Sequence, residues 1–419
     1  MNKPVIFSLF LFLTLFVPAL GMRGEEADTI RRAGHWGGEV SVLPGRTVSI
    51  DKYQSKWMVK QNNVAVDMML TWSALPSDSN SFDADYAYPS LSAGLRLNMN
   101  HGVTMHKRAD NEWPNIQEVD YDSQQGNIVS LYAQFSRTLF RTRKWETGYG
   151  LKVGTGWSRR KYNRRDAIDN EMIGSRWLVF FGAELSTCYF VTKNWGVKAG
   201  AEFYHHSNGA LNRPNKGANV VAARMGVVYR PQHEVAANHK AFSPHAFKPY
   251  WFLNVAYAYG GRTMLEEWQH TQFTAKPGDA DYRKEDFAIW HTHHFETSLM
   301  CRYARRWASG AGVDVIYGNY AREAEKWNAL RGYDKRLSPW SVGVSAKHNV
   351  YYRRLSLQMA IGFYVYRNMG EIARSLETPY YERIGVAYDL GPFTVGANVK
   401  AHRTKADLTE VMVSLPFKL

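Results

Sequence analysis

Apolar and small or polar residues alternate with a period of two along most of this chain. Tyr149, Leu151, Val153, Thr155 and Trp157 interleave with Gly150, Lys152, Gly154 and Gly156. Leu355, Leu357, Met359, Ile361, Phe363 and Val365 interleave with Ser356, Gln358, Ala360 and Gly362, and Phe393, Val395, Ala397 and Val399 with Thr394, Gly396, Asn398 and Lys400. Side chains two apart share a face of a strand, so each segment predicts a strand with one apolar and one polar face. About sixteen segments carry this period. They lie near 38–48, 64–73, 90–99, 127–138, 147–158, 176–190, 194–207, 219–230, 250–260, 294–304, 311–321, 339–351, 354–366, 380–390, 392–401 and 409–419.

Many of these strands are about ten residues long, the length a tilted strand needs to cross a bilayer. A lysine among glycines on the second face of 149–157 suits a solvated lumen better than a dry core. The fold expected is therefore all-β: an antiparallel transmembrane outer-membrane β-barrel, as one wall of about 12–16 strands, with two tandem eight-stranded barrels as the alternative. Eight segments precede Pro231 and eight follow it, and the connector around 231–248 fits a long loop as well as a boundary. The last strand places Val411, Val413, Leu415, Phe417 and Leu419 on one face, similar to an outer-membrane insertion signal.

Composition supports a barrel over a soluble sandwich. The chain is 14% aromatic, with 25 Tyr, 14 Trp and 33 Gly, yet its mean hydropathy is only −0.41. A wall that is apolar outside and polar inside keeps average hydropathy low and gathers Tyr and Trp at the interfaces. At the start, Lys3 precedes an apolar run from Val5 to Leu20 that closes on Ala19-Leu20-Gly21, so residues 1–21 read as a secretory signal peptide. The chain then divides into 22–230 and a second β-rich half, 231–419, completing the barrel. Cys188 and Cys301 do not imply a disulfide framework.

Short turns at Lys193-Asn194, Arg353-Arg354 and Gly391-Pro392 alternate with long loops near 100–126, 159–175, 261–286 and 322–338. Long loops mark the external side of such barrels. The segment His205-His206-Ser207-Asn208-Gly209 sits at the long-loop end of its strand. Parity puts His205 and Ser207 with Val197, Ala199, Ala201 and Phe203 on the apolar, lipid-facing side, and turns His206, Glu202 and Lys198 inward. Asn219 heads the apolar series Val221, Ala223, Met225, Val227 and Tyr229 of the next strand. A base two residues from a serine on a lipid face is a candidate site for hydrolysing a lipid. The plainer alternative is that Ser, Asn, Gly and Pro here simply build a turn.

The strand with His205-x-Ser207-Asn208, the loop Pro214-Asn215-x-Gly217 and the strand after it resemble the PagL-type lipid A deacylases, also named acyloxyacyl hydrolases. The resemblance covers about 35 residues and the all-β outer-membrane character. It implies an outer-membrane serine esterase acting on lipopolysaccharide or lipid A, with His205 as base, Ser207 as nucleophile, and Asn208 with the backbone at Gly209 as oxyanion donors. The family's third residue is usually Glu, two beyond the loop glycine; here Asn219 stands there. Asn can fix an imidazole tautomer but supplies no charge to stabilise imidazolium. The alternative function is a porin-like or structural barrel whose site has decayed.

Formal net charge is +14. Arg159, Arg160, Lys161, Arg164 and Arg165 cluster in one long loop, as a patch for lipid A phosphates or as an ordinary solvated basic loop. Export removes nucleic acid as a partner, and no pattern specifies an oligomer or calls for a cofactor. His291 and His293 share a face that His294 and Glu296 do not, which disfavours a metal site there. His402, Thr404 and Glu410 echo the main site's spacing, but parity places them on the polar face, as a lumenal network.

Overall fold

A computed structural model describes residues 34–112, 116–238, 242–369, 378–403 and 405–419. The expected signal segment lies outside these residues. Strands dominate. In chain order they are β1 (Trp36–Val48), β2 (Met58–Ser73), β3 (Ser90–Met99), β4 (Val103–Met105), β5 (Ser123–Gln124), β6 (Ile128–Arg141), β7 (Trp145–Ser158), β8 (Trp177–Phe190), β9 (Trp195–Ser207) and β10 (Ala218–Tyr229). They continue with β11 (Tyr250–Arg262), β12 (Trp290–Ala304), β13 (Trp307–Gly318), β14 (Trp340–Tyr352), β15 (Leu355–Arg367), β16 (Tyr380–Asp389), β17 (Thr394–His402) and β18 (Lys405–Lys418). Short helices interrupt them: α1 (Lys52–Lys56), α2 (Ser81–Asp85), α3 (His233–Asn238), α4 (Leu265–Phe273) and α5 (Ala321–Ala329).

The pairings close two antiparallel eight-stranded barrels. In the first the order runs β1-β10-β9-β8-β7-β6-β3-β2, and β2 pairs back onto β1. In the second β11 pairs with both β12 and β18. The single wall of 12–16 strands expected from the sequence is therefore corrected to the tandem alternative, and the second half closes its own barrel instead of completing the first. The reason is edge satisfaction. The free side of β10 is consumed by β1 (Gly38↔Tyr229, Val48↔Asn219), and neither side of β11 is left to join β10. A membrane barrel must pair every edge, but residue alternation is the same whichever partner takes the edge.

The compact units follow this division. Among the described residues, the first takes those up to Lys107, Val119–Ser207 and Lys216–Ala246; the second takes Arg108–Glu118, Asn208–Asn215 and Phe247–Leu419. In the first barrel Val40, Met68, Leu95, Leu151, Val197 and Met225 point out and are exposed. Facing inward, Glu39, Asp67, Glu184 and Glu202 meet Arg96, Lys152, Lys198 and Arg224, four acids against four bases. Lys152 Nζ lies 2.7 Å from Glu184 Oε2 and 2.6 Å from Glu202 Oε2; Arg224 reaches Glu39, Asp67 and Glu202. Tyr132 donates to Asp67 at 2.5 Å. An eight-stranded barrel is just wide enough for side chains to fill, and here charges in balance fill it.

The second barrel repeats the device with other residues. Glu296, Asp314, Asp407 and Glu410 face Lys347, Arg383, Lys400 and Arg262, with His294 between Asp314 and Glu410 at 3.0 Å from each. Seven strands open on Trp: β1, β7, β8, β9, β12, β13 and β14. Trp145 packs on Tyr189 and Trp195 on Tyr229, with ring centroids 4.8 and 4.9 Å apart, as in an interfacial girdle. Val413, Leu415 and Phe417 are exposed along β18, on the face the sequence assigned them.

Candidate active site

Strand β9 carries the site because its parity never slips. Val197 and Phe203 are exposed, Lys198, Glu202, Tyr204 and His206 are buried, and His205 and Ser207 continue the outward set. β10 lies alongside in antiparallel register, so Asn219 stands directly across from His205. The two side chains meet: His205 Nδ1 is 2.7 Å from Asn219 Oδ1. Because the amide oxygen can only accept, Nδ1 carries the proton and Nε2 keeps its lone pair. On the other side β8 supplies Phe181, opposite His205 in register, whose ring stacks on the imidazole at 4.6 Å and 29°.

The loop after β9 closes over the ring. Gly217 has φ +75°, and a Cβ there would fall on His205 Cε1, 3.1 Å from Nε2 and 3.2 Å from Nδ1. Only glycine allows the backbone this close in this conformation. Phe181 and Gly217 are thus structural partners of the imidazole. Gly217 lay within the recognisable loop motif, whereas Phe181 sits on a strand with no local signal and is reached only through pairing.

Ser207 is buried at the top of β9, and among the described residues its Oγ makes no hydrogen bond. Ser207 and His205 share the outward parity of β9 without a hydrogen bond between their side chains among the described residues. The next residue, Asn208, donates its backbone N–H to Asn215 Oδ1 at 2.9 Å. That backbone donor is therefore occupied. Its side-chain amide is buried with neither Nδ2 nor Oδ1 bonded among the described residues. Gly209 takes φ +61°, and its carbonyl accepts from Thr409 Oγ1 at 2.6 Å within the second unit.

The inward histidine does something else. His206 Nε2 lies 2.8 Å from Ser130 Oγ and its ring packs on Phe180 in the lumen. Glu184 and Glu202 point inward to their cations, so neither replaces Asn219. In the basic loop Arg159, Arg164 and Arg165 are exposed and Arg160 is half-buried, 3.8 Å from Asp166 Oδ2. Arg176, which sequence reading passed over, donates to the Arg159 carbonyl at 2.6 Å and lies 5.7 Å over the lipid-facing Trp157 ring.

Two further clusters belong to the second lumen. His294, Glu296 and Asp314 have the donor types of a metal site, but Lys347 and Arg383 already neutralise the two carboxylates. His402 bonds Tyr364 Oη at 3.0 Å, and Glu410 bonds His294. Both are buried, the lumenal placement that parity gives them; Thr404 lies outside the described residues.

Comparison with known proteins follows the same division. A family model described as lipid A 3-O-deacylase (PagL) matches residues 87–228, and one described as acyloxyacyl hydrolase, C-terminal domain, matches 251–419. Among solved structures, the outer membrane enzyme PagL aligns with 46% of this chain and 98% of its own, at 13% identity and TM-score 0.27. A mutant porin from Rh. blastica aligns with 91% of this chain and 99% of its own, at 8% identity and TM-score 0.17. No curated protein sequence is matched. Matched in its first barrel by the deacylase model and in its second by the model of the C-terminal domain, this chain belongs to the PagL-type lipid A deacylase (acyloxyacyl hydrolase) family of outer-membrane β-barrel proteins.

Proposed function

We propose that this protein is an outer-membrane serine esterase that hydrolyses an acyl ester of lipid A, at the 3-O position as in the family model that it matches. The observation that carries the reading is His205, held by Asn219 on the outward face of the barrel, two residues from Ser207. A nucleophile on that face meets substrate by lateral diffusion in the leaflet. His205 Nε2 takes the Ser207 proton as Oγ attacks the ester carbonyl; the tetrahedral intermediate collapses, the sugar hydroxyl leaves with that proton, and the acyl group stays on Ser207. Water, deprotonated by the same nitrogen, then releases the fatty acid.

Negative charge develops on the former carbonyl oxygen. The Asn208 Nδ2 amide and the Gly209 N–H are the donors assigned to it, because the Asn208 backbone N–H is committed to Asn215. A buried, unbonded amide beside the nucleophile acquires its partner as charge forms. Asn219 orients the imidazole without the charge a carboxylate would add, which sets a lower ceiling on rate. Arg159, Arg160, Arg164 and Arg165, joined by Arg176 above Trp157, are assigned to the lipid A phosphates.

The porin reading is opposed by lumens filled with balanced ion pairs. Purified protein in detergent, given lipopolysaccharide, is expected to release fatty acid, and Ser207→Ala to abolish that release. Equal release by Ser207→Ala overturns the serine mechanism.

A further inference from the structure

Glycine 217 can back the imidazole only if something holds the loop down, and the first unit contains a set of buried charges that does so. Lys216 N–H donates to the Glu171 carbonyl at 3.2 Å and Gly217 N–H to the Met172 carbonyl at 3.1 Å. The segment providing those carbonyls, 167–174, is buried throughout. Its anchor is the Glu171 carboxylate. One oxygen bonds the ammonium of Lys107, which is fully buried, and the other lies 3.0 Å from Lys216 Nζ. Lys216 also reaches Asp51 Oδ1 at 3.1 Å and sits 4.1 Å over the Tyr53 ring. Asp51 in turn caps α1 through the Gln54 N–H. Lys107 is fixed a second time, its N–H donating to Asp169 Oδ2 at 3.0 Å.

We propose that Glu171 is a positioning residue for His205: by clamping Lys107 and Lys216 it keeps Gly217 seated against the imidazole. This rests on the esterase reading above. Glu171 is separated from the reacting atoms by the 216–217 backbone, so it touches neither substrate nor nucleophile and acts on orientation alone. A buried carboxylate shared by two ammonium groups is rigid in a way that a single surface pair is not, because parting Glu171 from Lys107 would strand charge away from water while Lys216 holds the second oxygen. The sequence offers no local sign of it: Lys107, Glu171 and Lys216 come from three different loops.

The experiment compares Glu171→Gln and Lys216→Met with the parent protein, using Ser207→Ala as control. Lys216→Met is the decisive variant, since it leaves the buried Lys107–Glu171 pair intact and keeps an unbranched stem over Tyr53. Both clamp variants are expected to lower kcat for fatty-acid release about tenfold with KM within about twofold, the signature of misorientation rather than lost binding. Modification of Ser207 by a small fluorophosphonate, which needs the base but not the lipid, is expected to slow by the same factor. Heat-modifiable migration confirms that the barrel is folded. Wild-type kcat and modification rate in Lys216→Met overturn the clamp while leaving the esterase intact. Unchanged modification in Ser207→Ala overturns the esterase reading itself, and the clamp with it.

Discussion

Replacing Gly217 by alanine puts one methyl group where the structure leaves no space. The added carbon would fall on His205 Cε1 and lie 3.1 and 3.2 Å from the two ring nitrogens. Ordinary carbon contact begins at about 3.5 Å, so the ring must retreat by about 1 Å. From a starting separation of 2.7 Å, such a retreat takes Nδ1 beyond hydrogen-bonding range of Asn219 Oδ1. Misplacing a catalytic group by about 1 Å costs about 100-fold in rate, or about 2.7 kcal/mol of barrier. The backbone cost is smaller: alanine at φ +75° loses about 1–2 kcal/mol, which a closed barrel tolerates. The assay is kcat for fatty-acid release from lipopolysaccharide, with folding checked by circular dichroism. A Gly217→Ala protein that is folded and within about threefold of parent kcat would refute the claim that this glycine seats the base.

Other predictions follow from the same geometry. Asn219→Ala should lower kcat about tenfold through loss of one neutral hydrogen bond and of the tautomer it fixes, whereas Asn219→Glu should raise it about tenfold, since a charged acceptor bonds about twice as strongly; steady-state kinetics reads both, and a drop with Glu counts against the triad. Glu202→Gln should destabilise the first barrel by about 3–5 kcal/mol because Arg96, Lys152 and Arg224 all lose a buried partner; guanidinium unfolding measures this, and less than about 1 kcal/mol contradicts it. Arg176→Ala should raise KM about tenfold with kcat unchanged, and should do so only for phosphorylated lipid A.

Much of this fold was legible from alternation alone. Each of the sixteen periodic segments became a wall strand, and the lipid face of β9 followed from Val197 to Phe203 without knowledge of any partner. What alternation lacks is the identity of the neighbour. Whether β10 pairs with β1 or with β11 changes no residue's face, so two barrels and one read alike along the chain. The candidate dyad was legible for the same reason that its surroundings were not. His205 and Ser207 lie within one strand, and Asn219 lies at a countable position in the next, but Phe181 comes from β8 by register and Glu171 by a buried loop. Charge showed only part of this face: Arg159 to Arg165 stand out as a run, while Arg176, the arginine packed over Trp157, is isolated in sequence.

The central claim is that Ser207 hydrolyses lipid A from the membrane face of the barrel. Mass spectrometry of lipid A from outer membranes carrying the protein tests it most directly. The account predicts a species lighter by one ester-linked acyl chain at the 3-O position with the parent protein, and the unshortened species alone with Ser207→Ala at equal folded abundance. An identical acyl pattern in the two membranes would contradict it.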